Sequence, residues 1–396
     1  MPSSLSGLRV VDLSSNLAGP YCGQILADLG AEVVKVERPG TGDPSRAWAP
    51  PAWGGEGTLF LSSNRGKRSL ALELGTPEGQ EVLRRLLAHA DVVLQAFRPD
   101  VAERFGLTEE ALRADHPRLI LCSITAFDPE GPHRDRPGYD PLLQAHAGLM
   151  SVTGPAGGPP ARVGTSIVDM GAGMWAALGV LSALRTRDQT GRGHHVRVSL
   201  EDTALAWGAY HLQGTLATGE APAPMGTGLR MIVPYGAFPT SDGHLMIAAG
   251  TDSLFRRCCE SLGLDDLAAD PRLATNPERV RHRAEVEAGL AEATRRHTRA
   301  ELEALLTEAG VPCARVRGFD EVAADPSVLA GAFRREPHPA IPDYRAVALP
   351  VTVDGERPRF TRPPPSTGEH SEELLAELGY STDEIAALRT GGIVPD

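Results

Sequence analysis

Asp169 is the residue whose setting points most directly to chemistry. It stands in Val163-Gly164-Thr165-Ser166-Ile167-Val168-Asp169-Met170-Gly171-Ala172-Gly173, where an apolar stretch runs into a segment rich in small residues. The carboxylate is expected at or near the first turn of a helix, where the dipole favours its charged form. A charged carboxylate is what a covalent nucleophile needs. The competing reading is structural, because an Asp at a helix start is ordinarily a cap. Other reactive side chains show weaker patterns. Cys22, Cys122, Cys258, Cys259 and Cys313 form no CxxC pair and no metal-ligand spacing, and they read as reduced thiols of a cytoplasmic protein. His194 and His195 are adjacent on an expected strand, so their side chains diverge and a surface pair is favoured over a metal site.

The elements that must position Asp169 follow an α/β pattern. Arg9–Leu13, Glu32–Val36, Ser69–Leu74, Asp91–Gln95 and Leu119–Ile124 read as strands, with helices at Tyr21–Leu29 and, opened by Thr76-Pro77-Glu78, to Ala88. Such a series predicts an open, parallel, Rossmann-like sheet with helices on both faces. Ligands of such sheets lie beyond the carboxyl ends of the strands, here just after Leu13, Val36, Gln95 and Ile124. A long helix is expected from about Asp169 to Arg187. Its Gly171, Gly173, Ala176, Ala177 and Gly179 would let another element approach closely. A strand at His195–Leu200 and a helix at Glu201–Leu216 follow. Composition shifts at Ala221-Pro222-Ala223-Pro224, so the expected division is 1–220 as large domain, 225–325 as a smaller α+β domain and 326–396 as a connector ending in a helix pair at Ser371–Leu388.

Composition narrows the function classes. The chain has 396 residues, 39 Lys and Arg against 51 Asp and Glu, and a formal charge of −12. That balance disfavours a nucleic-acid partner. No run of 18 apolar residues and no basic-then-apolar start is present, so neither membrane spanning nor export is expected. The first strand is followed by Leu13-Ser14-Ser15-Asn16-Leu17-Ala18-Gly19-Pro20 in place of GxGxxG, which disfavours nicotinamide or flavin binding by that route. GxxxxGK[ST], HExxH and a Gly-x-Ser-x-Gly elbow are also absent.

Several longer signatures remain. They are Gly7-Leu8-Arg9-Val10-Val11-Asp12-Leu13-Ser14 with Ala18-Gly19-Pro20; Leu26 to Gly40 with Gly42-Asp43; Asn64-Arg65-Gly66-Lys67-Arg68-Ser69; Arg136-Pro137-Gly138-Tyr139-Asp140; Asp169; and Thr190-Gly191-Arg192-Gly193. Gly310-Val311-Pro312, Thr367-Gly368-Glu369-His370 and Leu378-Gly379-Tyr380-Ser381 complete the set. Over nearly its whole length the chain resembles the class III CoA-transferases, the group of formyl-CoA transferase, carnitine CoA-transferase and the bile-acid-inducible proteins. The resemblance implies a large domain built from both chain ends, a smaller middle domain and two chains interlocked as a homodimer. It implies Asp169 as nucleophile toward an acyl-CoA thioester, with a carboxylic acid as acceptor. It implies CoA as a substrate, with no permanently bound cofactor and no metal expected. The same resemblance implies CoA contacts at Asn16, Leu17, Ala18, Arg38, Leu72, Ala96, Phe97 and Arg104, and an acyl pocket at Tyr139 and Asp140. The bland alternative for Arg38 is a surface pair with Glu37 or Asp43.

Three departures from the family pattern stand out. Gln95-Ala96-Phe97 replaces a frequent Glu-Asn-Phe, removing one amide. The segment Ala248-Ala249-Gly250-Thr251-Asp252 lacks a glycine-rich loop, which argues against formyl–oxalate exchange. Tyr139-Asp140 stands where the family's 2-methylacyl-CoA racemases carry His-Asp. Racemisation needs a base on each face of the α-carbon, and a tyrosine, with an ordinary pKa near ~10, is a poor one. Racemisation is the alternative activity, and a non-catalytic CoA-binding protein is the alternative outside enzymology.

Overall fold

The structure is a computed structural model that describes residues 4–358 and 360–394. It forms two compact units. Among the described residues, one comprises 4–148, 163–212, 327–358 and 360–394, the other 149–162 and 213–326. The boundaries differ from the expected 220 and 225. The segment 149–162 belongs with the smaller unit, where the Gly226 amide donates to the Gly154 carbonyl at 2.8 Å.

Six parallel strands make the main sheet of the larger unit: β1 (Arg9–Asp12), β2 (Glu32–Glu37), β3 (Lys67–Ala71), β4 (Val92–Gln95), β5 (Ile120–Thr125) and β6 (His195–Ser199). Their order is β3-β2-β1-β4-β5-β6, so the strand order reverses between β1 and β4, where doubly wound sheets open their crevice. Strands β3 and β4 are buried along their whole length, as expected where helices cover both faces. The register runs Val10↔Val33 and Val10↔Val92 on the two sides of β1. Val11, Val34, Leu70, Leu83, Val93 and Leu121 lie in the core on one side.

Strand β3 begins two residues before the expected Ser69 and ends three before Leu74. Its first residues, Lys67 and Arg68, are charged and buried, so hydropathy alone does not mark them as strand. The chain's end packs on this strand. The His370 amide donates to the Ser69 carbonyl at 3.0 Å, the Gly368 amide to Ser69 Oγ at 2.8 Å, and the Glu73 amide to the Ile393 carbonyl at 2.9 Å.

Helices α1 (Ala18–Asp28), α2 (Pro77–Ala88), α3 (Pro99–Arg104), α4 (Glu109–Asp115), α5 (Asp140–His146), α6 (Ile167–Thr190) and α7 (Leu200–Trp207) matter to the site. Thr76 caps α2 through a hydroxyl that accepts from the Gly79 amide, with Pro77 in the first turn. α6 is longer than expected at both ends and stops at Gly191, whose φ of 73° is the left-handed conformation glycine adopts without steric cost. By length and hydropathy α6 could cross a membrane, but half of its apolar window is buried within the protein. The expected helix over Glu201–Leu216 is broken at Gly208 into α7 and a second helix, Ala209–Thr218, at one of the two glycines in the run, a residue type with low helix propensity.

The smaller unit holds a three-stranded antiparallel sheet, Tyr235–Thr240, Gly243–Ala248 and Cys313–Arg315. It is backed by Phe255, Val286, Leu290, Leu302 and Leu306. Arg279 is fully buried in it, donating to the Val233 and Leu273 carbonyls at 2.9 and 3.1 Å and pairing with Asp252 at 2.8 Å.

Candidate active site

Asp169 is the third residue of α6. The first-turn amides that could have served it are taken by another carboxylate. Asp140, the first residue of α5 and only 1% exposed, accepts from the Val168 amide at 2.7 Å and the Asp169 amide at 3.3 Å through Oδ2. Its Oδ1 accepts from Gln144 Nε2 at 2.6 Å, and Gln144 Oε1 accepts from the Val163 amide at 2.8 Å. Asp140 therefore caps α6 from outside and fixes the segment that enters it. Burial, and secondarily the Asp140 charge, raise the Asp169 carboxyl from its ordinary 3.8 to about 7. This reverses the expectation that the helix dipole would hold Asp169 ionised. The first-turn amides go to Asp140, and Asp169 is left a carboxyl more basic than usual.

The glycines of α6 set what surrounds Asp169. A Cβ on Gly173 would lie 2.5 Å from the Ala18 carbonyl oxygen, at the start of α1. Asp169 and Gly173 are four residues apart and share a helix face, so Asp169 faces the N-terminal end of α1. A Cβ on Gly179 would lie 2.5 Å from Val196 Cγ1 on β6, and one on Gly171 2.7 Å from Trp207 Nε1 on α7. Across the entrance to α5, Tyr139 is 53% exposed and packs its ring 6.5 Å from that of Trp48.

The loop between β1 and α1 is held from beneath by buried charges. Asp12 on β1 pairs with Lys67 on β3 at 2.8 Å, and Lys67 also donates to the Pro20 carbonyl at 2.8 Å and Asn64 Oδ1 at 2.9 Å. Burial lowers the Lys67 pKa to about 8. Lys35 on β2 donates to the Ser14 carbonyl at 3.0 Å and pairs with Asp43 at 2.8 Å. Asp43 in turn accepts from the Asn16 amide at 3.1 Å. Asn16 has φ of 68°, a left-handed conformation that asparagine tolerates better than most residues. The Asp12–Lys67 pair was not evident from spacing, because it joins strands 55 residues apart in sequence.

Beyond the ends of β1 to β4 lies a cavity of about 540 Å³, lined by residues of four successive strand-end loops. Of the residues expected to contact CoA, it brings together Arg38, Leu72, Phe97 and Arg104. Arg38 does not take the bland pairing: Glu37 is engaged by Arg46 at 2.8 Å and Asp43 by Lys35. Phe97 packs edge-on against Phe105, ring centroids 5.5 Å apart, and the Arg104 guanidinium lies 5.0 Å from the Phe105 ring centre. Asn16, Leu17, Ala18 and Ala96 are not among the lining residues. From the first loop it is Leu13, Ser14 and Ser15 that line the cavity, while Leu17 and Ala18 are buried, the Ala18 carbonyl against Gly173 of α6. The loop Leu13–Ala18 thus connects the cavity with the neighbourhood of Asp169. His195 departs from the surface reading. It is half-buried, and its Nε2 stands 2.8 Å from Ser123 Oγ.

Comparison of the whole chain with proteins of other organisms identifies its family. Residues 5–371 match the model of CoA-transferase family III. A succinate–glutarate CoA-transferase of Agrobacterium fabrum is 39% identical over 94% of this chain and 95% of its own length. The human succinyl-CoA:glutarate CoA-transferase is 34% identical over 98% and 90%. The crystal structure of a CAIB/BAIF family protein from Brucella suis superposes with a TM-score of 0.86 at 37% identity, covering 96% of this chain and all of that one. The chain belongs to CoA-transferase family III, and it is an enzyme that moves CoA between acyl-CoA thioesters and carboxylic acids.

Proposed function

We propose that Asp169 carries the reaction as a covalent nucleophile, with the nucleotide end of CoA in the strand-end cavity and its pantetheine arm along Leu13–Ala18. The observation that carries this reading is the placement of Asp169 in the first turn of α6, on the face that meets the start of α1, with the helix amides taken by Asp140; its carboxyl is raised to about 7 there. A carboxylate of ordinary acidity is a weak nucleophile; one desolvated to this extent is both more reactive and still ionised in half the molecules near neutrality. Its oxygen attacks the thioester carbon, the C–S bond breaks and CoA leaves as thiolate. The product is an acyl-aspartyl anhydride. The acceptor carboxylate attacks the aspartyl carbonyl, expelling the donor acid and leaving the acceptor acyl group on Asp169. CoA thiolate then attacks that acyl carbon and expels the Asp169 carboxylate. Each tetrahedral intermediate needs oriented N–H donors.

Trp48 and Tyr139, whose rings lie tilted at 59° to one another at the mouth of α5, suit the wall of an acyl pocket. The relatives named for succinyl-CoA with glutarate, D-citramalate or mesaconate suggest a short dicarboxylic acid and succinyl-CoA as donor for this chain. Met174, Trp175 and Leu178 of α6 and Leu205, Trp207 and Tyr210 nearby are exposed, an apolar area of the kind that a second copy covers. We assign it to a homodimer interface. A cytoplasmic setting fits five cysteines that form no disulfide.

The test is Asp169→Asn. The proposal predicts loss of succinyl-CoA-dependent transfer by at least about a thousandfold, with CoA affinity kept. Substantial transfer by the folded variant contradicts it.

A further inference from the structure

A row of hydrogen-bonded polar side chains crosses β4, β5 and β6. Gln95 ends β4, and Ser123 stands directly opposite it on β5. Gln95 Nε2 donates to Ser123 Oγ at 2.7 Å, Ser123 Oγ meets His195 Nε2 at 2.8 Å, and His195 Nδ1 lies 3.2 Å from Glu109 Oε2 at the start of α4. At the opposite end, Gln95 Oε1 accepts from the Phe97 amide at 2.7 Å.

Ser123, His195 and Glu109 stand in the order of a nucleophile, a base and its orienting acid. Space argues against hydrolysis there. Ser123 is 7% exposed, its hydroxyl is held between two partners, and the adjoining cavity lined by Glu109 and His195 measures only about 10 Å³, room for one water at most. What the row does reach is the nucleotide cavity. The turn after β4 has no regular structure, and its first residue, Ala96, is exposed and has no side chain with which to anchor it. It is held by the Phe97 amide on Gln95 and by the Phe97 ring, which packs against the core of the unit. Gln95 cannot rotate away without breaking its bond to Ser123, which His195 holds from the far side. Phe97 in turn packs on Phe105, and Phe105 carries Arg104.

We propose that Gln95, Ser123 and His195 are positioning residues for the nucleotide end of CoA. They lock the turn that presents Phe97 and, through Phe105, Arg104 to the cavity. This rests on the reading that the cavity takes that end of CoA.

Calorimetric titrations with CoA, adenosine bisphosphate and pantetheine separate the two claims. Gln95→Leu is expected to weaken CoA and adenosine bisphosphate about tenfold, the loss of one held backbone donor, and to leave pantetheine unchanged. Gln95→Glu keeps the acceptor for Phe97 and can accept from Ser123, so it restores affinity to within about twofold. Should Gln95→Leu not fold, Ser123→Ala carries the same test, with an expected loss of about threefold confined to the two nucleotide ligands. Unchanged nucleotide affinity in these variants, or an equal loss for pantetheine, overturns the positioning role while leaving the cavity assignment standing. A wild-type protein that binds CoA but shows no affinity for adenosine bisphosphate, and no change in Arg38→Ala, overturns the cavity assignment and the positioning role with it.

Discussion

The Asp140–Asp169 pair makes the acid–base behaviour of the site predictable residue by residue. Asp169 is raised to about 7 by burial and by Asp140, and in the proposed mechanism only its ionised form attacks. The rate at limiting acyl-CoA is therefore expected to fall as pH drops through about 7 and to level off above it. Asp140→Asn removes the like charge while its amide oxygen can still accept from the Val168 amide, so the acid limb should move to lower pH. A limb that stays in place in a folded variant would show that the neighbouring carboxylate does not tune Asp169. Stability should respond with the opposite sign from activity. The folded protein holds the Asp169 proton more tightly than the unfolded chain, so ionisation costs the fold stability as pH rises from about 4 to about 7. Asp169→Asn removes that cost. It should leave stability unchanged below pH ~4 and raise it by on the order of 1–2 kcal/mol above pH ~7 after solvent screening, measured by urea unfolding. The position of Asp169 at the start of a small-residue helix was legible in the sequence. Its protonation was not, because the carboxylate that takes the helix amides lies 29 residues away on another helix.

Helices and strands set how closely the reacting groups approach. The small residues of α6 were legible as a close-packing surface, and the structure gives them partners in α1, α7 and β6. Those partners imply a graded response. Gly173→Ala would press a methyl against the Ala18 carbonyl, which is backbone and cannot turn aside, whereas Gly179→Ala meets a valine side chain that can. The expected costs are ~2–3 kcal/mol for Gly173→Ala and ~1 kcal/mol or less for Gly179→Ala, by denaturant midpoint at constant slope. Equal costs would mean that the α1–α6 approach is slack. The buried pairs beneath the first loop escaped the sequence for a physical reason. Lys67 and Arg68 look like surface residues until β3 is seen beside β2, where Glu37, Ser69 and Arg46 form one connected set. Charges in strand cores break the hydropathy alternation by which strands are recognised. Lys67→Met leaves Asp12 buried without its cation and should cost ~3–5 kcal/mol.

At the scale of the whole chain, the alternation of strands and helices specified a doubly wound sheet, and the observed order agrees with it. The division into units was less legible, since segment 149–162 is separated in sequence from the unit it joins. The exposed apolar residues of α6 and α7 carry the assembly prediction. Leu178→Glu and Trp207→Glu should convert a dimer to monomers in analytical ultracentrifugation, whereas a wild-type protein that sediments as a monomer would remove that assignment. The central claim is that Asp169 takes up the acyl group. Its most direct test is the intact mass of the protein after incubation with a panel of acyl-CoAs including succinyl-CoA, with and without a hydroxylamine chase, followed by peptide mapping. The account predicts a hydroxylamine-labile acyl adduct on Asp169. An adduct mapping to another residue, or transfer activity with no adduct on Asp169 at any donor, would contradict it.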